Sequence, residues 1–250
     1  MHLRFVVVAS VVILGLLATP GCAMAAPASP PSNSPATNSP APNSPAPNSP
    51  ASNSPAPAPP GSPVLRQLDA LVVKGRAPKT GYTRTQFGQA WSDDVTVGGG
   101  HNGCDTRNDI LRRDLRDIRF KPGTRNCVVL SGVLVDPYTG TTIDFVRGPH
   151  SSKVQIDHVV ALADAWQKGA QQWSADKRRD FANDPRNLLA VSGNTNQRKG
   201  AGDTATWLPP NKAYRCTYVS KQVAVKSLYG LWVTAAEKDA MRRVLSNCFT

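Results

Sequence analysis

Asp157 and His158 are adjacent, Asn187 follows well downstream, and Asn196 stands three positions before Lys199. An imidazole with an ordinary pKa of about 6.5 is neutral near pH 7 and accepts a proton from water. A carboxylate and an amide oxygen are hard ligands. They suit one divalent ion, Mg2+ first and Mn2+ next, and leave coordination positions for water and a phosphate oxygen. Successive residues of an extended segment face opposite ways, so Asp157 can serve the ion while His158 serves the water. Arg198 and Lys199, just behind Asn196, are the cations placed to meet a phosphate; Arg107 and Arg147 lack that positional support. Phosphodiester hydrolysis needs these three things: an activated water, neutralised phosphate charge and help for the leaving oxygen. Asn187, at the start of its own segment, is read as a brace for the loop carrying His158.

The elements that must position these groups are short. Val154, Gln155 and Ile156 form a β-like approach to Asp157, Asn187 to Val191 reads as a second strand, and residues 193–199 read as a turn entering a helix. Strand, strand, helix with polar residues at the joints resembles the ββα-metal core of the HNH nuclease superfamily over residues 155–200. The wider block 104–248 is similar to secreted bacterial proteins related to the C-terminal nuclease domain of GmrSD-type restriction enzymes. The resemblance implies His158 as the catalytic histidine and Asp157 as the carboxylate before it. It further implies Asn187 as the middle asparagine and Asn196 as the metal-binding final position. Two departures stand out: residues 159–186 are a long insertion between the strands, and the last position is Asn where the superfamily name has His. Taken singly, an Asp-His pair, a strand-capping Asn and an Asn-rich turn are ordinary features. Their joint order carries the reading.

Compartment follows from the ends of the composition. Arg4, an apolar stretch over 5–17 and Ala23-Met24-Ala25 form a secretory signal peptide over 1–25. Gly21 before Cys22 leaves lipid anchoring at the cell surface through Cys22 as the alternative to a secreted protein. Residues 26–63 contain no charge and repeat Asn-Ser-Pro-Ala from Asn33, Asn38, Asn43, Asn48 and Asn53, the composition of an extended, disordered tether. Residues 64–250 then read as one nuclease-like domain with its core over 154–200. Cys104, Cys127, Cys216 and Cys248 form an even set for an oxidising compartment. Four cysteines allow three connectivities, and Cys104–Cys127 with Cys216–Cys248 is favoured because each pair brackets one local block. No Cys-x-x-Cys pair supports a structural zinc.

The expected class is α+β: a ββα-metal core embedded in a mainly helical, disulfide-stapled domain. Pro63 with Val64, Leu65, Leu68 and Leu71 has helical spacing. Thr106 with Asp109 reads as a capping box for a helix running through Ile110, Leu111, Leu115 and Ile118. Residues 127–135 and 141–146 form a hairpin around Asp136-Pro137-Tyr138-Thr139-Gly140. Residues 211–229 form a helix stopped by Gly230, and Thr234 with Glu237 caps a last helix.

The chain carries 29 Lys and Arg against 17 Asp and Glu, a net charge of +12 that falls by one when the leader and its Arg4 are removed. A polyanionic partner follows, though basic charge alone does not separate nucleic acid from wall polymers or anionic lipid. The expectation is an exported, monomeric, divalent-metal-dependent endonuclease acting on DNA, with RNA as a further substrate and little sequence preference. No integral membrane span is expected in the mature chain. A non-catalytic nucleic-acid or wall-polymer binding module on a stalk is the rival reading, and another exported hydrolase using His158 with Asp157 is a third.

Overall fold

The computed structural model describes residues 62–248; the expected leader, Cys22 and nearly all of the expected tether lie outside the described residues. In chain order the elements are α1 (Pro63–Ala70), α2 (Thr106–Asp114), β1 (Leu115–Phe120), β2 (Val129–Val135), β3 (Thr142–Val146), β4 (Val154–His158), α3 (Leu162–Gln167), α4 (Ala175–Asn183), β5 (Leu188–Ser192), α5 (Gly193–Lys199), α6 (Arg215–Tyr229) and α7 (Ala235–Ser246). Strands β1, β2 and β3 form an antiparallel meander, and β4 pairs antiparallel with β5 in a separate two-stranded sheet. The class is α+β, and β4, β5 and α5 supply the strand, strand, helix order.

Most boundaries follow from local chemistry. Gly230 ends α6 in the left-handed conformation at φ 70°, and Thr234 and Glu237 make both bonds of a capping box at the start of α7. Both disulfides, Cys104–Cys127 and Cys216–Cys248, are formed. The block after Cys104 departs from the sequence reading in two ways. Asp105, not Thr106, is the N-cap of α2: its carboxylate accepts from the Asn108 amide N–H at 2.9 Å, while Thr106 Oγ1 donates to the Ser92 carbonyl. The helix also stops at Asp114, four residues before Ile118. Leu115 and Arg116 pair with Leu134 and Val133 of β2, and Asp117 takes φ 50° where the register shifts. Strand pairing outweighs a helical apolar spacing that fits either element equally well.

The sheet β4–β5 lies in the interior. Val154, Leu188 and Ala190 have no exposure and pack with Ile110 and Leu111 of α2 and Phe145 of β3, while Val191, equally buried, lies in the cluster with Tyr138, Val159 and Tyr218. Burying each such Leu or Val contributes about 1.5–3 kcal/mol relative to leaving it in water. Strand β5 runs straight into α5, and Gly193 at the joint is dictated by space: a Cβ there would lie 2.1 Å from the Ser152 carbonyl oxygen. That close approach seats α5 across β4.

Candidate active site

On β4 the pleat sends Gln155 and Asp157 to one face and His158 to the other. On α5, Asn196 and Lys199 are three residues apart and so share a face. The two pairs meet: Asn196 Nδ2 donates to Gln155 Oε1 at 2.9 Å, and Lys199 Nζ donates to Asp157 Oδ1 at 2.9 Å and to the His158 carbonyl at 2.8 Å. Asp157 is 4% exposed, and its second oxygen accepts from the Tyr138 hydroxyl at 2.6 Å. Tyr138 comes from the β2–β3 turn and is fully buried against Trp207, Tyr214 and Tyr218. Burial, reinforced by the facing Asp157 charge, pushes its phenol well above the usual range, so it stays a donor.

His158 projects toward the C-terminal end of α4. Its Nε2 lies 2.8 Å from the Ala182 carbonyl oxygen, one of the terminal carbonyls that a helix leaves without an internal partner. A carbonyl only accepts, so Nε2 carries the proton and Nδ1 of the neutral ring is the acceptor. Burial lowers the imidazole pKa to about 3; the Ala182 bond opposes this, and the Arg84 and Lys199 charges add to it. Near pH 7 the ring is neutral. Trp91 stacks on it with ring centroids 5.9 Å apart and planes 13° from parallel.

The chain leaving His158 is clamped. Asn187, with no exposure, accepts the Val160 N–H on Oδ1 at 2.8 Å, donates Nδ2 to the Val160 carbonyl at 3.3 Å, and takes the Val159 N–H on its own carbonyl at 2.7 Å.

Asp157, His158 and Asn196 open onto a cleft of about 520 Å³ whose walls also carry Lys79, Arg84 and Arg107. Arg107 Nη2 is anchored on the Val154 carbonyl at 3.2 Å, beside the start of β4. Of the cations named from sequence, Arg107 alone lines the cleft. Lys199 is 3% exposed and turned inward onto Asp157, so the expected phosphate contact is corrected: its ammonium neutralises a buried carboxylate. Arg198 is exposed, holds Thr195 Oγ1 at 3.0 Å and does not line the cleft. Arg147 is turned to the Val129 carbonyl and Asn108.

Gln155, Tyr138, Trp91 and Arg84 were not singled out as site residues by sequence. The two-residue spacing from Asp157 gives Gln155 away once β4 is drawn as a strand. The others arrive from distant segments and leave no local signal.

Among the described residues no three of His, Cys, Asp and Glu gather around one point. A divalent ion is nevertheless compatible with the donors present. Each Asp157 oxygen accepts one hydrogen bond and keeps a second lone-pair direction, and Asn196 Oδ1 has no partner among the described residues. Two hard oxygens with the remaining positions left to water and phosphate is a pattern Mg2+ accepts.

The profile of the family described as "GmrSD restriction endonucleases, C-terminal domain" matches residues 105–244. A protein of Arthroderma benhamiae named "Uncharacterized secreted protein" is 38% identical over 198 residues, covering 77% of this chain and 90% of its own length. No solved structure matches the chain significantly. Among the described residues no helix is long and apolar enough to cross a membrane.

Proposed function

Because the chain belongs to the family of GmrSD restriction endonuclease C-terminal domains, we propose that it is an exported endonuclease that hydrolyses DNA phosphodiester bonds. RNA is its natural second substrate, because the supporting groups address phosphate more than base. The observation that carries the reading is His158: with Nε2 held by the Ala182 carbonyl, Nδ1 is left as a proton acceptor beside a cleft walled by Lys79, Arg84 and Arg107.

In the proposed reaction His158 Nδ1 takes a proton from water as its oxygen attacks phosphorus, and the bond from phosphorus to the leaving sugar oxygen breaks. That oxygen takes its proton from solvent. Arg84 and Arg107 offset phosphate charge, and Asn187 fixes the backbone that aims the imidazole. The Asp157 carboxylate and Asn196 Oδ1 would hold one divalent ion, Mg2+ first and Mn2+ next. Bound there, the ion supplies Lewis-acid stabilisation of phosphate charge. Contacts of this kind read no base edges, which supports low sequence preference.

Export is supported by the leader-like first 25 residues, by the two disulfides and by the secreted name of the relative. A monomer with residues 26–63 as a tether completes the proposal; a lipid on Cys22 in the mass spectrum of the mature protein would turn it into a surface-anchored enzyme.

The test is nicking of supercoiled plasmid with Mg2+, with Mn2+ and with EDTA. The wild type is expected to nick with metal only. His158→Ala is expected to retain DNA binding and lose turnover by about two to four orders of magnitude, the usual range for a removed general base. Asn196→Ala is expected to regain part of its activity at raised metal. DNA binding that persists in EDTA with no scission under any condition would replace the enzyme by a binding module.

A further inference from the structure

A second cavity, of about 250 Å³, shares Arg84, Trp91, His158 and Leu162 with the cleft and continues past the imidazole toward α4. It is smaller than the roughly 300–1,000 Å³ of sites for drug-sized ligands, the size class of one heteroaromatic ring system. Its inner walls are apolar: Phe87 is 1%, Leu162 5% and Ala182 8% exposed. Two polar side chains of this lining are buried, His158 and Asn183. Asn183, 1% exposed, donates Nδ2 to the Arg179 carbonyl at 2.9 Å, which fixes the orientation of the amide and leaves Oδ1 buried without a hydrogen-bond partner. An orphaned buried acceptor is rare in folded proteins and calls for a donor. At the junction of the two cavities the Arg84 guanidinium makes no hydrogen bond or ion pair among the described residues.

We propose that this cavity is a nucleobase subsite, holding the base of the nucleotide next to the bond being cut, with Asn183 Oδ1 accepting an N–H from its edge and Arg84 facing the phosphate. A base has what the cavity lacks: a flat apolar face for Trp91 and the apolar wall beside it, and an N–H at its rim. It is tethered to the phosphate that the adjoining cleft receives. A sugar is ringed with hydroxyls that these apolar walls would leave unpaired, and a phosphate has no N–H to give. A base can enter only after leaving the stack, so single-stranded DNA is expected to be cut faster than duplex.

The inference rests on the nuclease reading, and the experiment separates the two. Single-stranded oligodeoxynucleotides, each with one abasic site at a different position around the cleavage point, are cut by the wild type and by Ala90→Phe. Ala90 is an exposed residue of the cavity wall, and phenylalanine there fills the space. For the wild type, removing the base beside the scissile bond is expected to lower kcat/KM roughly tenfold, a loss in the range of one base–aromatic stack. A90F is expected to cut that abasic substrate at the wild-type rate and the intact strand no faster than the abasic one. Thr85→Phe, on the same cavity, repeats the test where A90F does not fold. No cleavage of any strand by the wild type overturns the nuclease reading. Equal cleavage of intact and abasic strands by the wild type overturns the subsite alone, as does an A90F protein that melts like the wild type and loses both substrates equally.

Discussion

Lys199 shows how far residue types carry. Its spacing from Asn196 marked it as part of the site, and the helix does bring both onto the face that meets β4. Spacing fixes the face of a helix, but whether that face meets water or a carboxylate depends on what the rest of the chain lays against it. Here Tyr138, from a hairpin turn read only as a turn, and Lys199 occupy one oxygen each of a buried Asp157. The consequence is measurable. Removing one partner of a buried pair leaves an uncompensated charge at a cost of about 3–5 kcal/mol. Lys199→Ala is therefore expected to lower the thermal melting temperature sharply. A phosphate contact would behave differently: stability would hold, and the salt dependence of DNA binding would fall by about one counterion. Tyr138→Phe keeps the ring packing and removes a hydrogen bond to a charged group, so a smaller loss, about 1.5–3 kcal/mol, is expected in the same melt.

At the scale of elements, the strands and helix around the site were legible because each announces itself locally. The β-rich runs before Asp157 and after Asn187 are bounded by turn residues, and the Thr234 to Glu237 box and Gly230 mark their helix ends by side-chain and backbone chemistry that needs no neighbours. β1 was not legible. Its apolar positions satisfy a helix as well as a strand, and the choice is made by β2, whose residues lie beyond the Cys104–Cys127 loop. The end of α2 at Asp114 serves the site indirectly, since the Asp114 carboxylate accepts the Ala190 N–H at 2.8 Å on β5. The start of α2 can be placed by mutation. Asp105→Ala is expected to cost about 1 kcal/mol in urea unfolding, while Asp105→Asn, which caps nearly as well, retains most of that. If the two variants unfold alike, the cap lies elsewhere.

Across the whole molecule the cysteines could be paired from their number and spacing, but the charge pattern hides its main feature. Lys168, Lys226 and Glu237 have no exposure and Asp164 and Asp203 have 1%, and together with Arg76, an exposed residue, they form one connected ion network. It joins the segment after α1, α3, the loop after α5, α6 and α7, residues scattered along the chain with no common pattern. Three cations balance three anions, so the excess positive charge of the chain lies outside the network, where a polyanion can meet it. The same balance makes the fold sensitive to acid. Burial alone pushes Asp164 up, yet Lys226 and Lys168 outweigh it and hold the carboxyl at about 2. An unfolded Asp titrates near 3.9, so this group adds stability above that pH, and the contribution is lost as pH falls from about 4 through 2. Over that window the unfolded state binds the proton first, and stability declines with falling pH. Asp164→Asn is expected to weaken the fold at pH 7, because the lysines lose a charged partner, and also to flatten the decline between pH 4 and 2 by up to one proton's worth of slope. Urea midpoints of both proteins at pH 7, 4 and 3 decide it: parallel declines with pH would show that Asp164 is not held ionised by the network.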